Sequence, residues 1–323
     1  MKNSIHPIYS IVVPIYNDGN LAEEFCETIK PVLEKWLPGE DINSSVELIF
    51  VNDGSPDNSV DILKTLPARY PFVKVIELSR NFGHHIALSC GYKYAVGDYV
   101  AMLNVDMEDP PRYLPALVDY AIKNNLDIVY GLRKSRKGPV FEKITSRIWQ
   151  IFLNKLTGND FPLNTSTLRV MNRKFVNAYN ELQEKTRYLP GLEMWLGFKK
   201  GFVETEHQAR DKGKSSYNFR KRLSMAFEAI ISFSDIPLRW TIFIGFVIAF
   251  VGFGLNVVLI YQKLFLKEFQ AGYTSTVSII VLFSGIQMMI LGMVGLYIGR
   301  ILREVQNRPL FFVRNRFNFQ DPE

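Results

Sequence analysis

The chain has 323 residues, of which 47% are hydrophobic, and a formal net charge of +6. This length allows one large domain or two moderate ones. The nearly uninterrupted apolar runs are confined to the last third of the chain, which indicates a globular part followed by a membrane part. The positive charge is concentrated between Lys199 and Arg222, just before those runs. A basic cluster in that place favours an anionic membrane surface or a phosphorylated substrate over a nucleic-acid partner.

Cysteine usage and the N-terminus both indicate a cytoplasmic first domain. Cys26 and Cys90 lie in helix-like apolar settings, so we predict reduced core residues rather than a disulfide or a metal site. Residues 1–10 are polar and contain no signal-peptide core. We therefore expect the first domain to stay in the cytoplasm.

Strand-like and helix-like segments alternate from the N-terminus onward. Apolar, β-rich runs bounded by turn residues predict strands, with helical segments between them. The predicted strands are Tyr9–Pro14, Val46–Val51, Phe72–Leu78 and Tyr99–Leu103, and a fifth begins at Ile128. Alternation at this spacing predicts an α/β fold with a parallel, doubly wound sheet.

Polar residues follow the first four predicted strands at the point where each strand ends. In such sheets, the crevice beyond the carboxyl ends of the strands binds nucleotides and similar ligands. The chain has no G-x-G-x-x-G after its first strand and no G-x-x-x-x-G-K-[ST] anywhere, which argues against dinucleotide oxidoreductases and P-loop enzymes. The polar groups are Tyr16 to Asp18, Asp53, Arg80, and Asp106 to Asp109.

The last of these groups is an acidic cluster of Asp106, Glu108 and Asp109. Two prolines, Pro110 and Pro111, follow it and prevent the strand from continuing. Three carboxylates at a strand end suit a hard divalent cation. A solvated turn is the alternative, since Asp and Pro are ordinary turn residues.

From Gly131 to Gly213 the pattern is less regular and more basic. We predict an amphipathic helix over Glu142–Thr157 and a strand over Asn164–Met171. Arg133 and Arg169 lie in this region, and surface charge is the ordinary interpretation of either one. Several arginines near a carboxylate-bound metal would instead suit a phosphate-bearing substrate, because guanidinium binds phosphate in a bidentate fork.

The last third of the chain predicts a membrane anchor. Residues 214–239 contain apolar residues at helical spacing with basic residues between them, which is typical of an interfacial helix. A helix packed on the globular domain would show the same spacing. Residues 240–261 and 276–298 carry no formal charge, and each is long enough to cross about 30 Å of hydrocarbon. Arginines flank these spans, so the positive-inside rule places both termini on the cytoplasmic side.

As a set, these motifs resemble the inverting GT-A glycosyltransferases of family 2. Within that family they are similar to the polyisoprenyl-phosphate glycosyltransferases, such as dolichol-phosphate mannose synthase and bacterial undecaprenyl-phosphate glucosyltransferases. The resemblance implies a cytoplasmic GT-A domain over residues 1–213, the juxtamembrane region 214–239, the two spans, and a basic cytoplasmic tail over 299–323. It covers essentially the whole chain and rests on residues 13–17, 51–55, 79–83, 106–111, 210–217 and 233–239 and on the two spans.

The resemblance also implies roles for particular residues. Asp106 would bind Mg²⁺ or Mn²⁺ on the donor diphosphate, and Arg133 and Arg169 would face the transferring phosphates. Arg210 and Lys214 would receive the lipid phosphate near the membrane surface. The nucleotide of the sugar donor would be held by Pro14, Tyr16, Asn17, Asp53, Arg80, Phe82, Gly83 and Asn104, with Asp53 at the base.

Two positions depart from the pattern of the family. Asn104 stands where Asp-x-Asp usually begins, and Thr167 stands where many relatives carry an Asp proposed as base. Our hypothesis is that Glu108 joins Asp106 at the metal and supplies the charge that Asn104 lacks. Asn104→Asp should then restore activity lost in Glu108→Gln. A base is not required, because a lipid phosphate with a second pKa of about 6 is already a charged nucleophile near neutrality.

The resemblance implies an inverting enzyme that moves a hexose from a nucleotide sugar, with a UDP-sugar as the expected donor, to a polyprenyl phosphate at the cytoplasmic face of the inner membrane. Two alternatives stay open. A processive polysaccharide synthase is disfavoured because no Gln precedes Arg239-Trp240 as the Gln-x-x-Arg-Trp motif requires. An inactive nucleotide-binding membrane protein is favoured by Asn104 and Thr167. Glycines in the spans permit a homo-oligomer but do not specify one.

Overall fold

The structure is a computed structural model that describes residues 8–133, 164–206 and 272–319, together with five isolated helical residues, 247, 250, 254, 261 and 265. The chain divides into two compact units. The first comprises residues 1–217 and 309–323, and the second comprises residues 218–308. The predicted helices at 142–157 and within 214–239, the residues Arg210 and Lys214, and most of the predicted span 240–261 lie outside the described residues.

Up to residue 133, the strands and helices of the first unit alternate as the sequence predicts. The strands Lys200–Thr205 and Val313–Phe317 were not predicted. The strands are β1 Tyr9–Ile15, β2 Val46–Asn52, β3 Val73–Leu78, β4 Tyr99–Met102, β5 Ile128–Arg133, β6 Thr165–Asn172, β7 Lys200–Thr205 and β8 Val313–Phe317. The helices are α1 Ala22–Trp36, α2 Ile42–Ser45, α3 Ser59–Leu63, α4 Leu66–Arg69, α5 His84–Tyr94, α6 Leu114–Lys123, α7 Arg173–Glu181 and α8 Leu189–Trp195, with 3-10 turns at Gly19–Leu21 and Pro111–Tyr113.

The eight strands among the described residues form one mixed sheet in the order β7-β5-β6-β4-β1-β2-β3-β8. Strand β1 pairs in parallel with β2 and β4, β2 pairs in parallel with β3, and β5 pairs in parallel with β7. Strand β6 lies between β4 and β5 and is antiparallel to both. The sheet is therefore mostly parallel, as predicted, with antiparallel pairings at β6 and at the edge strand β8.

The sheet is covered on both faces, which explains the continuous apolar runs of its central strands. All seven residues of β2 are buried. Helices α1 and α6 contribute buried residues such as Phe25 and Leu117 to the main core cluster. Helix α5 packs closely on β1, since a Cβ added to Gly91 would lie 2.2 Å from Cγ1 of Val12. Cys26 and Cys90 are both buried and free, which confirms their prediction as reduced core residues.

The C-terminal segment changes one predicted boundary. We predicted residues 299–323 to be a separate basic tail, but residues 309–323 belong to the first compact unit. Val313–Phe317 pairs antiparallel with β3 as its edge strand. Tyr94 and Phe319 also meet edge to face, at 5.9 Å between ring centroids. The segment after the second predicted span therefore contributes a strand to the sheet of the first unit.

The described part of the second unit is dominated by one long helix, α9, which runs over Tyr273–Val305. It contains the predicted span 276–298. Large apolar side chains such as Met288, Leu296 and Val305 are exposed along it. Among the described residues, α9 is the one helix that is long and apolar enough to cross a membrane, over Ile286–Val305.

Candidate active site

The carboxyl ends of β4, β1, β2 and β3 lie along one edge of the sheet, because these neighbouring strands are parallel. Two residues in the loops at this edge adopt left-handed backbone conformations that side chains disfavour. They are Asn17, with φ of 62°, and Met107, with φ of 54°. Such strained positions concentrate at functional sites. Among the described residues, Met107 is the one residue other than Asn or Gly that has a positive φ, and it lies between Asp106 and Glu108.

Asp53, which follows β2, holds the loop that follows β3. We call Ser79–Gly83 the donor loop. The two oxygens of the buried Asp53 carboxylate accept hydrogen bonds from the backbone N–H groups of Phe82, at 2.7 Å, and Gly83, at 2.8 Å. Burial raises the pKa of Asp53, although these two bonds and the nearby charge of Arg80 act against the increase. The carboxylate that we predicted to contact the nucleotide base thus also fixes the start of α5.

The loops after β1 and β2 are joined to the donor loop. The N–H of Asn17 donates to Oγ of Ser55 at 3.0 Å. Gly54 has a φ of 62°, and a Cβ there would lie 2.3 Å from the carbonyl carbon of Arg80. The Arg80 guanidinium lies 4.1 Å from the centroid of the Phe82 ring. The structure therefore brings the predicted nucleotide-binding residues after β1, β2 and β3 to one surface, with Tyr16 and Asn17 exposed beside it.

Asp109 is the buried member of the acidic cluster. Its carboxylate accepts from Nε and Nη2 of Arg133, at 3.2 and 3.1 Å. It also accepts from the backbone N–H and the hydroxyl of Thr167, at 3.0 and 2.6 Å. Burial alone would raise the pKa of Asp109, but the bonds and charge of Arg133 and the hydroxyl bonds of Thr167 and Ser166 outweigh it and lower the pKa. Asp109 thus holds Arg133 in place as an ionised carboxylate.

Asp106 and Glu108 are partly exposed, and Glu108 lies beside this ion pair. The N–H of Glu108 donates to Oδ1 of Asp106 at 3.3 Å, and Nη2 of Arg133 lies 3.9 Å from Oε2 of Glu108. Within the described residues, no group of three or more Asp, Glu, His or Cys side chains is arranged for a metal. Mg²⁺ commonly binds one or two carboxylates together with substrate phosphates and waters. Asp106 and Glu108 fit that kind of site.

The two positions that depart from the pattern of the family contact each other. Nδ2 of Asn104 donates to Oγ1 of Thr167 at 3.2 Å, and that hydroxyl donates to Asp109. Asn104, Thr167 and Asp109 therefore form one hydrogen-bonded chain that ends at Arg133. This contact could not be predicted from the sequence, because the two residues lie 63 positions apart.

Arg169 lies in a different environment from the one that we expected. It is only 6% exposed. Its Nη1 lies 2.6 Å from both carboxylate oxygens of Glu193, and its guanidinium lies 5.6 Å from the centroid of the Tyr130 ring. The Tyr130 hydroxyl donates to the same carboxylate at 3.1 Å. This buried, balanced pair does not support a role for Arg169 on the transferring phosphates.

Comparison with known proteins identifies the family. Residues 10–179 match the model of glycosyl transferase family 2. The chain belongs to glycosyltransferase family 2. The predicted family is thereby confirmed, and so is the prediction that the protein is a glycosyltransferase.

Relatives match this family 2 chain over nearly its whole length. It is 36% identical over 319 residues to an uncharacterized glycosyltransferase of Bacillus subtilis, covering 98% of this chain and 97% of that protein. It is 32% identical over 318 residues to an undecaprenyl-phosphate 4-deoxy-4-formamido-L-arabinose transferase of Pectobacterium carotovorum, covering 97% and 94%.

Solved structures support the fold. Glucosyl-3-phosphoglycerate synthase from Mycobacterium tuberculosis, crystallised with Mn²⁺, UDP and phosphoglyceric acid, is similar with a TM-score of 0.50. The sequence identity is 16%, and the similarity covers 70% of this chain and 76% of that chain. At this identity the likeness extends to the GT-A type of α/β fold alone.

Proposed function

We propose that this glycosyltransferase moves a sugar from a nucleotide donor to a polyprenyl phosphate at the cytoplasmic face of the membrane. The observation that carries the proposal is the grouping of the Asp106 and Glu108 carboxylates with the Arg133 guanidinium at the edge of the sheet. Carboxylates and a cation together suit a metal-bound diphosphate. Several relatives are named as transferases of undecaprenyl phosphate. These names support a polyprenyl phosphate as the acceptor.

Each residue of this group would have a distinct task. Asp106 and Glu108 would hold Mg²⁺ or Mn²⁺, which stabilises the negative charge that develops on the leaving nucleoside diphosphate. Arg133 uses Nε and Nη2 on Asp109, and we assign its Nη1 to a donor phosphate. Asp53 and the donor loop would hold the nucleoside, together with Pro14, Tyr16 and Asn17.

The reaction needs correct placement more than it needs a base. An oxygen of the lipid phosphate attacks the anomeric carbon while the bond from that carbon to the diphosphate oxygen breaks on the opposite face. The configuration at that carbon inverts, and the nucleoside diphosphate leaves. The attacking phosphate already carries charge near neutrality, so fixed geometry and charge stabilisation supply the rate. Arg210 and Lys214 remain our proposed contacts for the lipid phosphate.

Chain connectivity supports two membrane crossings. Residues 218–308 leave the first compact unit and return to it, since residues 1–217 and 309–323 belong to one unit. A segment that starts and ends in one unit on one side of a membrane crosses it an even number of times. If α9 is one crossing, the apolar stretch 240–261 is the natural second. The flanking arginines then place the catalytic unit and both termini in the cytoplasm.

A transfer assay tests the proposal. Membranes containing the enzyme would receive undecaprenyl phosphate and a panel of radiolabelled nucleotide sugars, with and without a chelator. UDP-hexoses come first, and a pentose donor belongs in the panel because the sugar named for one relative is an arabinose derivative. Metal-dependent label in solvent-extractable lipid supports the proposal. Label in polymer would indicate a processive synthase, and nucleotide binding without turnover an inactive protein.

A further inference from the structure

The C-terminal strand β8 is hydrogen-bonded to the residue at which the donor loop begins. The N–H of Ser79 donates to the carbonyl oxygen of Phe312 at 2.9 Å. The carbonyl oxygen of Ser79 accepts from Nη2 of Arg314 at 2.7 Å. Both backbone polar groups of Ser79 are therefore held by the segment that follows α9 in the chain.

Arg314 is also held by a buried carboxylate of β3. Its Nη1 lies 3.0 Å from Oε1 of Glu77, and Nδ2 of Asn315 donates to Oε2 of the same residue at 2.7 Å. Glu77 is only 6% exposed. The planar guanidinium of Arg314 thus joins the Glu77 carboxylate to the Ser79 carbonyl. A lysine ammonium is a single point charge and does not reproduce this fork.

The far end of the donor loop is held by Asp53, through the N–H groups of Phe82 and Gly83. The middle of the loop packs directly against Gly54. A Cβ added to Gly54 would lie 2.3 Å from the carbonyl carbon of Arg80, so the loop has no room to move toward Gly54. A displacement that begins at Ser79 is therefore transmitted along a short, close-packed loop to Asp53. Closely packed elements transmit strain of this kind.

We propose that Arg314 is a positioning residue for the sugar donor, acting through Ser79 and the donor loop on Asp53. The inference rests on the proposed function, since it takes Asp53 and the donor loop as the nucleotide site. It also ties the donor site to the segment that leaves the candidate membrane helix. The Arg314 side chain is 58% exposed, but the Glu77 side chain with which it pairs is only 8% exposed. Arg314→Met should therefore lower the melting temperature, although Asn315 still donates to Glu77.

The test measures nucleotide binding to the full-length protein in detergent with Mn²⁺. Titration calorimetry with UDP and GDP identifies the tighter ligand, which is then used for Arg314→Met, Arg314→Lys and the control Arg316→Met. The control removes the same charge from the same strand, and its guanidinium lies 5.8 Å from the centroid of the Tyr94 ring on α5. Thermal unfolding of each variant accompanies the titration, and the donor KM and kcat are measured in the transfer assay.

Arg314→Met should raise the dissociation constant of the nucleotide about three- to tenfold. Arg314→Lys should give a smaller increase, and Arg316→Met should bind like the wild type. The donor KM should rise more than kcat falls, with both measured well below the melting temperature of each variant. Wild-type binding in both Arg314 variants, or equal weakening in Arg316→Met, would overturn the inference. A wild-type protein that binds neither nucleotide and transfers no sugar in the transfer assay would overturn the proposed function and this inference with it.

Discussion

Two arginine–carboxylate pairs on neighbouring strands, Arg133–Asp109 and Arg169–Glu193, have similar chemistry but different surroundings. Arg133 is the last residue of β5, and its guanidinium lies 3.9 Å from the partly exposed Glu108. Arg169 lies within β6, and both oxygens of the buried Glu193 surround its Nη1. The position of each arginine along its strand therefore decides its role. At the strand end it can meet a ligand, and inside the sheet it holds the fold.

Removing the buried carboxylate should have the largest effect. Glu193→Gln leaves the Arg169 charge buried without its partner, which we expect to lower the free energy of unfolding by about 3–5 kcal/mol. Thermal or denaturant unfolding of the purified protein measures this. Glu206→Gln is the matched control, because its ion pair with Arg112 is exposed, and it should cost less than about 1 kcal/mol. An equal loss of unfolding free energy in Glu193→Gln and Glu206→Gln would show that the buried pair contributes no more to stability than the exposed one.

The strand-end pair should affect catalysis more than folding. Arg133→Lys keeps the positive charge beside Asp109 but loses the fork that can hold Asp109 and a phosphate together. We expect kcat/KM for the donor to fall by about 10²-fold, with a melting temperature close to that of the wild type. Arg112→Lys, on the exposed pair, is the control for the same exchange. Full activity in Arg133→Lys would mean that Arg133, like Arg169, is structural.

A smaller effect is expected at Thr167, and it depends on pH. The lowered pKa of Asp109 means that its ionised form stabilises the protein above the ordinary pKa and that this contribution is lost as the pH falls through the lowered value. Thr167→Val removes one bond that lowers the pKa, so acid unfolding should begin at a higher pH, by about half a unit to one unit. Thr167→Ser keeps the hydroxyl and should follow the wild type. An unchanged acid midpoint in the valine variant would show that the Thr167 hydroxyl is not needed to hold Asp109 ionised.

The local features of the fold were predictable because they depend on neighbouring residues. The apolar run before Asn104 predicts β4, and the stretch Asn164–Met171 predicts β6 to within one residue of its observed bounds. The place of β6 between β4 and β5 was not predictable, since strand pairing depends on packing between distant segments. Strand β8 was missed for the same reason. Its arginines indicate a basic tail, and its partner β3 lies more than two hundred residues earlier.

The site was predictable as a cluster but not in its internal division of roles. The sequence places Asp106, Glu108 and Asp109 together, yet only the contacts of Asp109 with Thr167 and Arg133 distinguish the buried carboxylate from the partly exposed ones. The pairing of Arg169 with Glu193 was likewise not predictable, because Glu193 lies 24 residues away on α8. The predicted roles of Asp106 and Glu108 at a metal stay predictions.

The metal dependence of nucleotide binding, measured in the wild type and in Asp106→Asn, tests most directly whether Asp106 binds the metal that holds the nucleotide. Titration of the nucleoside diphosphate with Mn²⁺, and again with a chelator, gives both values. Asp61→Asn serves as a control, since the exposed side chain of Asp61 pairs with Lys64 rather than with a group of the site. We predict that the wild type and the control bind the nucleotide at least about tenfold more tightly with Mn²⁺, and that Asp106→Asn loses this gain at an unchanged melting temperature. Wild-type binding that is equally tight with and without Mn²⁺, or a full metal effect in Asp106→Asn, would contradict the role of Asp106 at the metal.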